Sequence, residues 1–202
     1  MKITIDHSKG GSEMQTKSEL RKMILEQRRQ LPEEEVYELS AQICNKVKDL
    51  QEYKEAEDIC LYMPANNEVD LTLLIEDAWK AGKNVWLPKT SGRRMDFFKF
   101  DSTTPLSEGA YKILEPVSDV MLDPDEKTLI LMPGVAFSME GGRIGYGKGY
   151  YDIYLEQHYM SKKIAVGYDF QIVEELPIEE HDIKPDFIIS EKNTGKIIKD
   201  NV

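Results

Sequence analysis

Cysteine is almost missing from this sequence. Cys44 and Cys60 are the whole complement, too few and too far apart for a disulfide framework or a CxxC zinc site, so a reducing cytoplasm is the expected compartment. Long apolar runs are missing too. No stretch approaches the roughly 18 residues of a membrane span, and the N-terminus carries no apolar signal core, which argues against a membrane partner and against export. Positive charge is also short. Lys and Arg number 26 against 37 Asp and Glu, a formal net charge of -11. Nucleic-acid binding needs clustered cations facing phosphates, so no nucleic-acid partner is expected. A small anion held at a local basic patch is not excluded. Internal repeats, low-complexity tracts and interdomain linkers are absent as well.

What remains is a chain of 202 residues, 41% hydrophobic and 31% charged, the composition of one soluble globular domain with a sizeable core. Residues 1–13, MKITIDHSKGGSE, show no period and read as a tail outside the domain, which then runs from 14 to 202; a short strand from Lys2 to Ile5 is the competing reading. Thr16 and Glu19 have capping-box spacing, which predicts a helix from Lys17 with Leu20, Met23, Ile24 and Leu31 as its apolar stripe. Pro32 ends it and opens a second helix, with three glutamates in the first turn and Val36, Leu39, Ile43, Val47 and Leu50 at helical spacing. Asp58 to Tyr62 reads as a buried strand, Asp70 as the cap of a helix that ends at Gly82, and Asn84 to Pro88 as the next strand. Strand, helix, strand forces a parallel pair. Further strands are predicted over 95–100, 128–132, 163–168 and 186–190, with a helix from about Gly149 to Tyr159. Residues 101–127 read as loop with one short strand around Tyr111 to Leu114. The expected fold is a single-domain α/β protein, a three-layer α/β/α sandwich around a mostly parallel sheet.

One segment carries chemistry. In 140-EGGRIGYGKGYYD-152 the residues Gly142, Gly147 and Lys148 stand in Walker A register, but Gly149 occupies the place of the Ser or Thr. Strand, glycine-rich turn and helix N-terminus together make an anion site, because glycine permits close backbone approach and the first helical N–H groups point at the ligand. Arg143 and Lys148 add positive charge, and Asp152 is the nearest hard oxygen that can replace the missing hydroxyl at magnesium. The competing reading is a tight glycine turn with solvated basic residues, and with Tyr150, Tyr151 and Tyr154 packed on the sheet.

The run 132-MPGVAFSMEGGRIGYGKGYYDIYL-155 closely resembles the signature of the 5-formyltetrahydrofolate cyclo-ligase family, and 17-KSELRKMILEQRRQL-31, 62-YMPANNEVD-70 and 177-PIEEHDIKPDFII-189 resemble its first helix, substrate loop and C-terminal segment. The resemblance implies an ATP- and magnesium-dependent ring closure of 5-formyltetrahydrofolate to 5,10-methenyltetrahydrofolate, with ADP and phosphate released and a phosphorylated formyl group as intermediate. It further implies that Lys17 and Arg21 contact ATP phosphates together with Arg143, Ile144, Gly145, Tyr146, Gly147, Lys148, Gly149, Tyr150 and Tyr151. Met63, Glu68 and the stretch Tyr146 to Tyr150 are implied to contact the folate. Asp152 and Asp182 are implied as the magnesium ligands, and Lys148, Arg143 and Tyr150 as the residues nearest the chemistry. Each has a plain alternative: a solvated basic edge for Lys17 and Arg21, a loop carboxylate for Glu68, a core methionine for Met63, a dipole-complementing aspartate for Asp152, an ordinary polar loop for His181 and Asp182. Ser138 stands where many members have Asp. A monomer or weak homodimer is expected. The rival functions are a folate or nucleotide binder without turnover, and a sugar-phosphate isomerase or acyl-CoA transferase of similar architecture.

Overall fold

The computed structural model describes residues 16–176 and 183–197; the reading of Lys2–Ile5 as a strand lies outside them. In chain order the elements are α1 (Lys17–Arg29), α2 (Glu33–Asp49), α3 (Gln51–Glu55), β1 (Asp58–Cys60), α4 (Ile75–Lys80), β2 (Asn84–Ser91), β3 (Arg94–Phe100), β4 (Leu106–Glu108), β5 (Leu114–Pro116), β6 (Thr128–Met132), β7 (Ala136–Ser138), β8 (Arg143–Ile144), α5 (Tyr150–Gln157), β9 (Lys162–Val166), β10 (Ile172–Val173), β11 (Phe187–Ile189) and β12 (Thr194–Lys196).

The first two helices begin and end where the sequence says they should. Thr16 and Glu19 form a reciprocal capping box, and Pro32 sits at the N-cap of α2. Asp70 caps as expected, accepting from Thr72 N at 2.9 Å. It caps a 3-10 turn, Leu71–Leu74, that leads into a short α4.

The main sheet has seven strands in the order β12-β11-β9-β6-β1-β2-β3. Its five central strands are parallel, and both edge pairings, β2 with β3 and β11 with β12, are antiparallel. Side chains alternate across it. Ile59, Leu129, Leu131 and Ile164 pack with Ile43 and Val47 of α2 and with Leu74 and Ala78. Cys60, Ile130 and Met132 face the other way, toward Tyr154 and Leu155 of α5. A continuous apolar strand such as 128-TLILM-132, buried at every position, is what two covered faces require.

The three-layer reading holds, with one refinement. At one end of the second face the cover is a small sheet, β10-β7-β8, whose Phe137 packs on Ala165 and Ile188. Helix α1 lies on that small sheet through Leu20 and Ile24 against Val135, Ala136 and Ile144. Two expectations are corrected. The strand expected around Tyr111 to Leu114 is instead a hairpin, β4 with β5, closed by a 3-10 turn at Ala110–Lys112. The stretch read as loop from Arg143 onward starts as strand, because Ala136 and Phe137 pair with Ile144 and Arg143 in an antiparallel ladder.

The chain runs from β1 outward to β2 in one direction, then returns to β6 on the other side of β1 and continues to β9 and β11. The crevice beyond the carboxyl ends of β1 and β6 is therefore the topological switch point, the usual ligand position in open parallel sheets.

Candidate active site

A cavity of about 580 Å³ opens at that crevice, within the range typical of small-molecule sites. Helix α1 contributes Lys17 and Arg21, the segment after β1 contributes Met63 and Glu68, and the whole stretch from Arg143 to Asp152 forms one wall. These are all the site residues named from the sequence that fall among the described ones; Asp182 lies outside them. Residues far apart in the chain are thus brought to one place by the switch of strand order and by α1 lying across the small sheet.

Glu68 is buried at 6% exposure and lines the cavity. Its loop reaches this position through two consecutive left-handed residues, Asn66 (φ 50) and Asn67 (φ 56), a conformation asparagine tolerates better than most. Asn67 Nδ2 donates to the carbonyls of Arg28 and Leu31 at 3.2 Å each, tying the loop to the C-terminal end of α1. The carboxylate accepts from Ala65 N at 2.9 Å and from Tyr146 Oη at 2.7 Å. Behind it lies Arg28, 1% exposed, whose Nη1 is 4.0 Å from Glu68 Oε1. Arg28 Nη2 donates to Tyr146 Oη in a short contact, and its Nε donates to Asn66 O at 2.8 Å. Burial pushes the Glu68 carboxyl above its ordinary value, and the Arg28 charge and the two donated hydrogen bonds oppose that rise. Such a carboxylate suits a ligand edge that presents N–H groups.

The glycine wall is shaped by backbone. Gly147 (φ 86) and Gly149 (φ 68) are left-handed, which a side-chain-bearing residue would resist. Gly149 is the N-cap of α5, and no side chain caps that turn among the described residues. Gly149 and the first residues of α5 line the cavity, the placement an anion site at a helix start needs. Arg21 Nε holds the turn by donating to Gly145 O at 2.8 Å. Arg143 Nη2 donates to Asp152 Oδ1 at 2.7 Å, with the Arg143 side chain 5% and the Asp152 side chain 30% exposed. Asp152 is thus a partly accessible carboxylate on the wall, pre-oriented by an arginine. Its hard oxygens fit magnesium, which commonly takes one or two carboxylates and completes its shell with phosphate oxygens and water. Among the described residues no cluster of three or more metal-ligating side chains occurs, so an all-protein metal cage is not what this site offers there.

Lys148 lies over the ring of Tyr111 with Nζ 5.8 Å from the centroid, and Tyr150 Oη donates to Gly92 O at 3.1 Å in the β2–β3 turn. The Tyr154 ring packs edge-on to Phe97 at 5.2 Å between centroids, the sheet-packing role expected of it by default. Ser138 is fully buried, and its Oγ accepts from Gly142 N at 3.2 Å, so the serine itself ties the turn.

Sequence reasoning missed Arg28 and the hairpin wall of the cavity, where Tyr111 (φ 59) and Lys112 (φ 61) are both left-handed. Arg28 had a usable signal: it falls on the face of α1 that carries Arg21 and Ile24, a charged residue inside a buried stripe. Nothing in 101–127 announced that a tyrosine from a loop would close over the glycine stretch.

Comparison with known proteins agrees with the geometry. The solved relatives include the NMR structure of the 5,10-methenyltetrahydrofolate synthetase of Aquifex aeolicus, 40% identical with a TM-score of 0.80, covering 92% of this chain and 95% of that one. The 5,10-methenyltetrahydrofolate synthetase of Mycoplasma pneumoniae is 28% identical with a TM-score of 0.72, covering 88% and 99%. The 5-formyltetrahydrofolate cyclo-ligase of Escherichia coli K12 is 33% identical over 168 residues, 80% of this chain and 92% of its own length. The family model described as the 5-formyltetrahydrofolate cyclo-ligase family matches residues 13–191, which takes in the glycine wall, the Glu68 loop and α1 together. By that match and by these relatives, this chain belongs to the 5-formyltetrahydrofolate cyclo-ligase family.

Proposed function

We propose that this protein closes 5-formyltetrahydrofolate to 5,10-methenyltetrahydrofolate with consumption of ATP. The observation that carries the reading is the single cavity in which a basic glycine wall and a buried, N–H-accepting carboxylate face one space. An ATP triphosphate lies along Lys17, Arg21, Arg143 and the turn from Gly145 to Gly149; the pterin reaches inward to Glu68 past Met63. Asp152 and Asp182 are the residues that would hold magnesium, which would shield charge on the phosphates.

The chain's own groups position and neutralise rather than attack. The formyl oxygen forms a bond to the γ-phosphorus as the bond to ADP breaks; N10 then adds to the activated carbon, loses its proton, and phosphate departs with the former formyl oxygen. Such a transfer asks mainly for alignment and charge dispersal. Lys148 reaches the transferring phosphoryl group, Arg143 both steadies Asp152 and faces the phosphates, and Tyr150 fixes the turn that carries them. An acidic chain of net charge -11 thus keeps four cations, Lys17, Arg21, Arg143 and Lys148, on one cavity wall. The domain that does this runs from residue 14 to the C-terminus and works as a monomer or weak homodimer in the cytoplasm.

The test is turnover of 5-formyltetrahydrofolate followed by the near-ultraviolet band of the methenyl product, with and without ATP and magnesium. The band should grow only when both are present. Binding of folate without product would convert the reading to a non-catalytic binder, and turnover without ATP would overturn the phosphoryl-transfer mechanism.

A further inference from the structure

Tyr146 stands on one wall of the cavity and bonds to the other. It belongs to the glycine stretch between Arg143 and Asp152, yet its hydroxyl donates to Glu68 Oε1 at 2.7 Å. Behind this bond Arg28 Nη2 donates to the same hydroxyl, and the Arg28 guanidinium lies 5.6 Å from the centre of the Tyr146 ring. A hydroxyl has one proton to give and two lone pairs to accept with, so both bonds form at once.

Helix α1 closes the circuit. Arg28 Nε donates to Asn66 O at 2.8 Å, inside the loop that carries Glu68. About two helical turns earlier on the same face, Arg21 Nε donates to Gly145 O, next to Tyr146, also at 2.8 Å. The turn itself supplies little stiffness. Residues 145, 147 and 149 are glycine, the residue with the widest backbone freedom, so the position of the turn is set by what it is tied to. Glu68 keeps room for a ligand. An ionised carboxylate can accept about four hydrogen bonds, and Ala65 N and Tyr146 Oη supply two.

We propose that Tyr146 is a positioning residue that couples the two substrates: through its hydroxyl, a triphosphate held by the glycine turn tightens the grip of Glu68 on the folate. This rests on the functional reading above and deepens it. A triphosphate bonded to the turn fixes Tyr146, and a fixed Tyr146 holds Glu68 in the orientation that meets the N–H edge of the pterin. The second ligand then enters a site already ordered. Linkage makes the effect mutual, so the folate must tighten the nucleotide by the same factor.

Isothermal titration calorimetry reads this without turnover, using 5-formyltetrahydrofolate and the β,γ-imido analogue of ATP with magnesium. Each is titrated with and without a saturating amount of the other. In the parent protein each ligand should lower the Kd of the other about tenfold. Tyr146→Phe keeps the ring beside Arg28 and removes only the hydroxyl. There the factor should fall to within about twofold of one, while the far-ultraviolet circular dichroism matches that of the parent. A variant that weakens the folate equally with and without the nucleotide keeps the parent's factor; that result would show Tyr146 to be structural and overturn the coupling. A parent factor within about twofold of one, in either direction of titration, would overturn it whatever the variant does. Both results leave folate and nucleotide binding standing. A parent protein that bound no folate, or no nucleotide, would remove the functional reading itself and this inference with it.

Discussion

The contact between Arg28 and Glu68 sets up a test of whether the buried Glu68 carboxylate is held ionised by its arginine. Replace Arg28 by Met, which keeps much of the side-chain volume and removes the charge. The Gly134 carbonyl that Arg28 touches keeps Gln171 Nε2 at 2.9 Å as a donor, so the main losses are the bonds to Asn66 O and Tyr146 Oη and the charge facing Glu68. At 4.0 Å and an effective dielectric constant near 20, two unit charges interact by about 4 kcal/mol. Removing one partner of a buried pair typically costs about 3–5 kcal/mol. The variant should therefore unfold at clearly lower denaturant at pH 7.

The pH dependence separates charge from packing. Glu68 is raised above its ordinary value in the folded protein. Its contribution to stability is therefore fullest below the unfolded pKa of the group and is lost as pH rises through the folded pKa. Without Arg28 the folded value climbs further, so the deficit of Arg28→Met relative to the parent should shrink on acidification from pH 8 toward pH 5. In the double variant Arg28→Met, Glu68→Gln the charge term is gone and that pH dependence should vanish. Denaturant titrations of the four proteins at three pH values give the coupling, expected at about 2–4 kcal/mol at pH 7. A coupling under about 0.5 kcal/mol, or a deficit that does not change with pH, would show that Arg28 serves only as packing and as a donor to Asn66 and Tyr146.

Three further outcomes are expected. Asp152→Asn should lower kcat by at least about 100-fold, the scale of losing a group that stabilises developing charge, while its circular dichroism and melting temperature stay near those of the parent; normal turnover with normal magnesium dependence would remove Asp152 from the metal site. Lys148→Ala should lower kcat far more than it raises the KM for ATP, because its charge is needed most as the phosphoryl group transfers; steady-state kinetics with ATP varied at saturating folate checks the split. Ser138→Ala leaves the buried Gly142 N–H without its side-chain acceptor and should cost about 1–3 kcal/mol in denaturant unfolding.

How far the sequence carried depends on whether the signal was local. The capping box at Thr16, the proline start of α2, the apolar strand 128–132 and the βαβ unit from Asp58 to Asn84 are all written in neighbouring residues, and the structure follows them. The short strands β7, β8 and β10 were not legible. Two to three residues carry no measurable period, and what makes Ala136–Ser138 a strand is its pairing with residues on both sides. The hairpin over residues 106–116 failed for a related reason: its turn uses Tyr111 and Lys112 at positive φ, where no glycine or asparagine advertises the turn.

The site shows the same division more sharply. Glycine and aspartate in 140–152 stand out by residue type, so this stretch was legible as a candidate wall before any coordinates, and it does line the cavity. Arg28 does not stand out in this way. An arginine in an apolar stripe is ordinary until one knows what lies behind it, here a buried carboxylate 4.0 Å away. That contact depends on the switch of strand order that sets the loop after β1 against the loop after β6. Glu68, Tyr146 and Arg28 come from three separate parts of the chain, and only that crossing makes one hydrogen-bonded unit of them. The pocket proposed for the pterin is therefore assembled by topology in this fold, whereas the basic glycine wall proposed for a triphosphate is already present in a single run of sequence.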